Sequence, residues 1–168
     1  MNFGSATPEY SADFPNTVVY SIDATHGCSF AAVTSNGIKF IKWSKFKAND
    51  YGNEYNTAFF RAGKGGYLAV FNRESDKTDN RIAVFSKSGE LKYELHYKGI
   101  ISDIRLYGGH IYCISDTNVF LLSSEGKILR TAACGFGAVK LNVNATNTVA
   151  VITDNKIEKL ELEQEQIK

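Results

Sequence analysis

Four short apolar runs recur along the chain: Phe30-Ala31-Ala32-Val33, Tyr67-Leu68-Ala69-Val70, Ile111-Tyr112-Cys113-Ile114 and Val149-Ala150-Val151-Ile152. Their starts lie 37, 44 and 38 residues apart, within the range of repeat architectures. The longer middle interval has a visible cause, the polar insertion 73–80 that follows the second run. Each run is bounded by glycine or turn-forming residues, is rich in β-branched and aromatic side chains, and lacks a 3.6-residue period. Each therefore predicts a strand, not a helix.

The flanks repeat too. A strand-like segment precedes each run, at 18–23, 57–62, 101–107 and 138–144, and a tight turn and third strand follow at 38–43, 81–85, 119–123 and 157–162. Ser35-Asn36-Gly37 is a hairpin signal, because Asn and Gly tolerate the positive φ of two-residue turns; Asp116-Thr117 and Asp154-Asn155 fill that place in repeats three and four. Ser88-Gly89-Glu90 and Glu125-Gly126-Lys127 then lead into fourth strands at 91–97 and 128–133. The fourth strand of the first repeat is poor, since 46–55 is polar and broken by glycine, and the last repeat has none. The insertion at 73–80 predicts an exposed hairpin loop. The polar end is assigned as strand to about residue 163.

Four antiparallel strands every ~40 residues are the mark of a propeller blade. The expected fold class is all-β, with about four antiparallel blade repeats of a β-propeller forming a partial propeller. The expected organisation is an N-terminal segment 1–16, a β-propeller-like domain 17–163 with repeats 17–56, 57–100, 101–137 and 138–163, and a polar tail 164–168.

The stretches Gly108-Gly109-His110-Ile111-Tyr112-Cys113-Ile114-Ser115-Asp116 and Val119-Phe120-Leu121-Leu122-Ser123-Ser124-Glu125-Gly126-Lys127 resemble the repeat of quinoprotein-like, PQQ-type β-propellers. Residues 66–70 with 82–90 repeat the pattern, and the resemblance covers about 17–163. It extends to uncharacterised bacterial propellers, many held outside the cell by a membrane anchor. That repeat carries a tryptophan four residues after its glycine, where this chain has Tyr93 and Arg130; its one tryptophan is Trp43. No Trp-Asp dipeptide of the WD40 kind occurs, and quinone binding is not implied.

Four blades are fewer than the six to eight of the enzymatic relatives, and unpaired strand edges are templates for association. Three closures are open. The segment 9–14 could complete the last blade of a four-bladed ring. Two chains could pair as a homodimer through their open blade edges. The chain could also be the C-terminal part of a larger propeller. A fragment or paired halves rank ahead of the closed ring.

Composition adds mainly exclusions. Nineteen basic residues oppose eighteen acidic ones, so no overall field draws nucleic acid or anionic membranes. No stretch approaches the ~20 apolar residues of a membrane helix, and Met1-Asn2-Phe3-Gly4-Ser5 opens no secretory leader. The chain as given is expected in the cytoplasm, or outside the membrane as a fragment of an anchored propeller. Cys28, Cys113 and Cys134 lack CxxC spacing and are expected to be buried, unreactive thiols.

Motifs for chemistry are missing. His26, His96 and His110 show no metal-ligand spacing, and His26 with Cys28 is better explained as a turn histidine beside a buried cysteine. Gly63-Lys64-Gly65-Gly66-Tyr67 lacks the ending of a phosphate loop, and 76–80 lacks the order of a calcium loop. The basic and aromatic residues of 39–47 fit a solvated strand with snorkelling lysines. No catalytic, cofactor or metal residue is assigned, and the expected function is non-enzymatic, a protein-interaction or scaffold module with a protein partner. Its candidate contact loops are 44–56, with Asp50, Tyr51 and Tyr55, and 73–80, with Arg73, Asp76 and Lys77. The alternative is carbohydrate or small-molecule binding, or hydrolysis, at a central channel lined by Asp23, Arg61, Asp103, Arg105 and Asn142.

Overall fold

A computed structural model describes residues 13–25, 29–35, 37–42, 45–49, 56–63, 65–73, 75–145 and 147–164 of the chain. The alternating and short apolar runs become strands in four separate antiparallel sheets, each in sequence order. The first holds β1 (Val19–Thr25), β2 (Ser29–Thr34), β3 (Gly37–Lys42) and β4 (Lys45–Asn49). The second holds β5 (Asn56–Gly63), β6 (Gly66–Arg73), β7 (Asp76–Phe85) and β8 (Leu91–Lys98). The third holds β9 (Ile101–Tyr107), β10 (His110–Ser115), β11 (Asn118–Leu122) and β12 (Ile128–Ala133). The fourth is three-stranded, with β13 (Lys140–Ala145), β14 (Thr148–Ile152) and β15 (Ile157–Glu161).

These sheets are the antiparallel blades of a β-propeller. Their first strands stand side by side, β1 against β5, β5 against β9 and β9 against β13, and no comparable packing joins β13 to β1 among the described residues. The blades stack face to face through three apolar layers. Ala31, Val33, Ile38 and Phe40 of the first blade meet Phe60, Tyr67, Ala69 and Phe71 of the second. Leu68, Val70, Ile82 and Val84 on the opposite face of the second blade meet Ile104, Leu106, Ile111 and Cys113 of the third. Tyr112, Ile114, Val119 and Leu121 meet Leu141, Val143, Val149 and Val151 of the fourth. Because both faces of blades two and three are buried, β6 and β10 are apolar at consecutive positions instead of alternating.

The repeat extends to individual hydrogen bonds. In the turn after β7, the backbone nitrogens of Ser88 and Glu90 donate to Ser86 Oγ at 3.2 and 3.1 Å. After β11, those of Glu125 and Lys127 donate to Ser123 Oγ, both at 3.1 Å. Gly89 and Gly126 adopt φ +80° and +81° in these turns, a region where a side chain is strained. Gly89 also touches the Phe40 ring, so the turn of the second blade rests on the first.

Three sequence expectations are corrected in detail. The insertion 73–80 is not a loop: β6 runs to Arg73 and β7 starts at Asp76, so the hairpin bend is only two residues long. Asp76, Asp79 and Asn80 stay in the ladder, opposite Arg73, Lys98 and Asn72, and the register shifts between Asn72 and Arg73, where Lys77 and Thr78 fall, because one side of a strand end can face water without leaving the sheet. The first blade does have a fourth strand, β4, paired with β3 despite its polarity. The polar end leaves the fourth blade: β16 (Glu163–Gln164) pairs with β12 and adds a fifth strand to the third blade. Leu162 is buried at that crossing, and its carbonyl accepts from Arg130.

Cys113 lies fully inside the layer between blades two and three, and burial pushes its thiol up to about 12. Cys134 is also buried and free, while Cys28 and His26 lie outside the described residues. Among the described residues no group of His, Cys, Asp and Glu could hold a metal ion, and no helix is long and apolar enough to cross a membrane.

Candidate functional site

The five polar residues predicted for the channel all lie on first strands. Pairing places four of them at one repeat position: Asp23 opposite Ala31, Arg61 opposite Leu68, Arg105 opposite Tyr112, and Asn142 opposite Ala150. Each of these partners is the second residue of its apolar run, so the four side chains occupy equivalent places in successive blades.

Three of the four reach across to the next blade. Asp23 Oδ2 accepts the backbone nitrogen of Ala62 at 2.7 Å, tying blade one to blade two. Arg61 Nη2 stands 3.6 Å from Asp103 Oδ1, tying two to three. Arg105 Nε donates to the Leu141 carbonyl at 2.9 Å, tying three to four. Asp103, two residues earlier on β9, reinforces the last joint: its Oδ2 accepts the Leu141 nitrogen at 2.9 Å and lies 3.0 Å from Arg105 Nη2. The Asp103 side chain is 3% exposed, and a carboxylate so buried persists because two guanidinium groups and a backbone N–H compensate its lost hydration. Asn142 alone is exposed and makes no side-chain hydrogen bond among the described residues.

The structure therefore brings Arg61, Asp103 and Arg105 together, with Asp23 one joint away and Asn142 outside the cluster. Arg61 and Arg105 keep about a third of their side chains exposed, so a guanidinium edge of each remains available to an acidic or hydroxyl-bearing group.

A second site was not anticipated from sequence. A cavity of about 440 Å³ opens where β5, β6 and β7 meet the entry to β9, lined among others by Asn56, Phe59, Asn72, Lys77, Asn80 and Ile101. Register creates its polar wall: Asn56 is opposite Asn72, and Asn72 is opposite Asn80, so three amides cross the sheet in one row. Asn80 is buried and anchored, its Nδ2 donating to the carbonyls of Thr78, Tyr97 and Gly99 at 3.1, 3.4 and 2.6 Å. A register irregularity between Thr57 and Phe59 brings Ala58 and Phe59 to the cavity, as bulges commonly re-aim side chains. Only strand register reveals this row, because the three asparagines are scattered in sequence.

Of the predicted contact loops, Lys77 lines this cavity, whereas Arg73 and Asp76 do not. Hydrogen bonds from the hydroxyl and backbone N–H of Thr78 hold the Asp76 carboxyl below its ordinary range. Asp50, Tyr51 and Tyr55 lie outside the described residues. The described part of the N-terminal segment sits on the first blade, where Lys39 Nζ lies 5.6 Å from the centre of the Phe14 ring.

Over residues 4–162 the sequence matches DUF5711, a family of unknown function. The chain belongs to this family. No curated protein matches this DUF5711 chain. Among solved structures it is similar to a protein of unknown function from Bacteroides caccae, at 12% identity and a TM-score of 0.56, covering 88% of this chain and 62% of that one. It is also similar to Kluyveromyces lactis Hsv2, at 11% identity and a TM-score of 0.55, covering 86% of this chain and 49% of that one. Hsv2 is a WD40-like β-propeller, and at these identities the likeness concerns fold alone. The DUF5711 chain thus spans less than two thirds of the first of these structures and about half of the second.

Proposed function

We propose that this DUF5711 chain is a non-enzymatic propeller module for protein interaction, with the asparagine row and Lys77 as its contact surface. The observation that carries this reading is the use made of the inner-strand charges. Asp23 and Asp103 accept backbone N–H groups of neighbouring blades, and Arg61 and Arg105 bind across the same joints. Acid–base hydrolysis needs carboxyl groups that exchange protons with a substrate, and these two are engaged as fasteners. The cavity beside them offers amide donors and acceptors over Phe59 and Ile101, a surface suited to the main chain of an extended peptide.

Kinship with PQQ-type bacterial propellers belongs to the same proposal, supported by the matched serine–glycine turns at Ser86 and Ser123. Pairing of two chains through open blade edges is a separate part of the same reading. A second reading, carbohydrate or small-molecule binding at the inner rim, is favoured by the part-exposed guanidinium edges of Arg61 and Arg105.

The test is a peptide array and a glycan array probed with the wild type, Asn72→Ala and Lys77→Ala. Peptide binding that weakens in both variants supports the interaction surface. Glycan binding that survives them but fails in Arg61→Ala moves the function to the rim. Turnover of a glycoside overturns the non-enzymatic reading, and silence on both arrays overturns the contact surface.

A further inference from the structure

The apolar side of the cavity at β5, β6 and β7 is held in place by backbone hydrogen bonds. The Gly99 nitrogen donates to the Thr78 carbonyl at 2.8 Å, and Asn80 Nδ2 donates to the Gly99 carbonyl at 2.6 Å. The entry to β9 is thereby tied to the start of β7. Ile101 is buried there, but Ile100, which also lines the cavity, is left 57% exposed. Exposed Ala58 and half-buried Phe59 complete the apolar lining.

The polar lining has a direction. Asn80 commits its amide nitrogen to three backbone carbonyls, which leaves a ligand only its oxygen, an acceptor. Asn56 and Asn72 make no side-chain hydrogen bond among the described residues, so each keeps both donor and acceptor. Lys77 adds three donors and the one charge of the lining, since no acidic residue is among the described residues that form it. The acids beside it are otherwise engaged. Asp76 stands opposite Arg73 and accepts from the Thr78 hydroxyl and N–H at 2.6 and 2.9 Å, and Asp79 stands opposite Lys98. Lys77 makes no ion pair among the described residues. Arg73, Lys77 and Lys98 thus meet Asp76 and Asp79, and Lys77 is the cation left over.

We propose that this cavity takes an extended acidic peptide segment, a partner class that holds only if the contact surface proposed above is the right one. An Asp or Glu carboxylate of the segment lies on Lys77 and the amides of Asn56 and Asn72, and an apolar neighbour lies on Phe59 and Ile100. A carboxylate has acceptor positions and no donor, which matches an ammonium and two amide NH2 groups, while N–H groups of the peptide answer the asparagine oxygens. The volume of about 440 Å³ lies in the range of ligand sites. Asn56, Ala58, Lys77 and Ile100 are all exposed, so the cavity is open along one side and a chain runs through it. The carboxylate therefore comes from a side chain and not from a chain end. The Gly99 and Asn80 hydrogen bonds already order this rim, so little entropy is lost there on binding.

The experiment is an array of end-blocked peptides in matched sets, the members of a set differing only in carrying Glu, Gln or Lys beside a leucine. It is probed with the full chain and with Asn72→Ala, Lys77→Gln and Lys77→Glu, and the hits are titrated by fluorescence anisotropy. For the wild type, the Glu members are expected to bind about threefold or more tightly than the Gln members, the scale of an exposed ion pair. That preference narrows at about 0.5 M salt, where the charges are screened. Lys77→Gln removes it, and Lys77→Glu turns it toward the Lys members, a gain that an unfolded variant cannot show. Binding that weakens in Asn72→Ala yet treats Glu, Gln and Lys members alike overturns the acidic partner and leaves the contact surface standing. A preference for Glu that survives Lys77→Gln also overturns it, because the charge is then read elsewhere. Binding indifferent to both Asn72→Ala and Lys77→Gln, or no binding at all, overturns the contact surface and the acidic partner together.

Discussion

Oδ2 of Asp103 accepts the backbone nitrogen of Leu141 at 2.9 Å, so a carboxylate of the third blade fixes the first strand of the fourth. The same oxygen faces Arg105 Nη2, whose Nε donates to the carbonyl of that same leucine. Leu141 is thus held at both its N–H and its C=O by one acid–base pair, and the blades stack in a fixed register.

Removing that carboxylate leaves the buried N–H of Leu141 without its acceptor and takes the counter-charge from Arg61 and Arg105, which keep their carbonyl partners. Asp103→Ala is expected to cost about 3–4 kcal/mol, and Asp103→Asn, which keeps an acceptor oxygen, about half as much. Urea unfolding of the two variants and the wild type measures the difference. Equal costs would mean that charge, not the hydrogen bond to Leu141, holds the joint.

Alkaline pH should destabilise the fold through Cys113. Its folded thiol is raised from an ordinary 9.0 to about 12 by burial. Between those values the unfolded state has released the proton that the folded state retains, so stability falls as pH rises. From about pH 8 to about pH 10 the loss from this group is about 1.4 kcal/mol. Cys113→Ala removes this contribution, and unfolding free energies at both pH values should show a correspondingly flatter dependence. Burial raises the phenols of half-buried Tyr93 and of Tyr112 in the same direction, and these contribute equally to both proteins.

The two matched turns separate strain from crowding. Gly89→Ala and Gly126→Ala face the same positive φ, which costs about 1 kcal/mol. At Gly89 a Cβ also collides with the Phe40 ring, whereas at Gly126 the nearest atom is 3.4 Å away. Gly89→Ala should therefore lower thermal stability by at least twice as much as Gly126→Ala. Equal shifts would remove the contact between this turn and the first blade from the account.

Ser86 and Ser123 each accept two backbone N–H groups through one hydroxyl. Replacing either with alanine should cost about 1 kcal/mol, and the double variant should show additive losses because the turns belong to different blades. Chemical denaturation of the two single variants and the double variant checks both points.

The blade repeat was legible in the sequence because it depends on local chemistry. Short apolar runs, the glycines of the Gly89 and Gly126 turns and the helix-free periodicity each specify a strand or turn wherever they occur. The inner-strand column of Asp23, Arg61, Arg105 and Asn142 could be named from the same repeat, but its role could not. Whether Arg61 faces water or Asp103 depends on how one blade stacks on another, and stacking is not written in the spacing of either blade. The asparagine row was hidden for a related reason: Asn56, Asn72 and Asn80 become neighbours only when two strand pairings, one of them beside a register irregularity, bring them level. The insertion at 73–80 was misjudged because polarity signals solvent, while a strand end can meet solvent and keep its ladder.

By itself, then, the sequence determined most strands and turns and the four blade repeats of this chain, all set by interactions within a few residues or across one hairpin. Only the tertiary structure decided which charges fasten blades together and where the polar cavity opens. The fasteners arise from contacts between residues about forty positions apart, whose energy exists only once the blades are stacked, and the cavity from strand register that brings Asn56, Asn72 and Asn80 level.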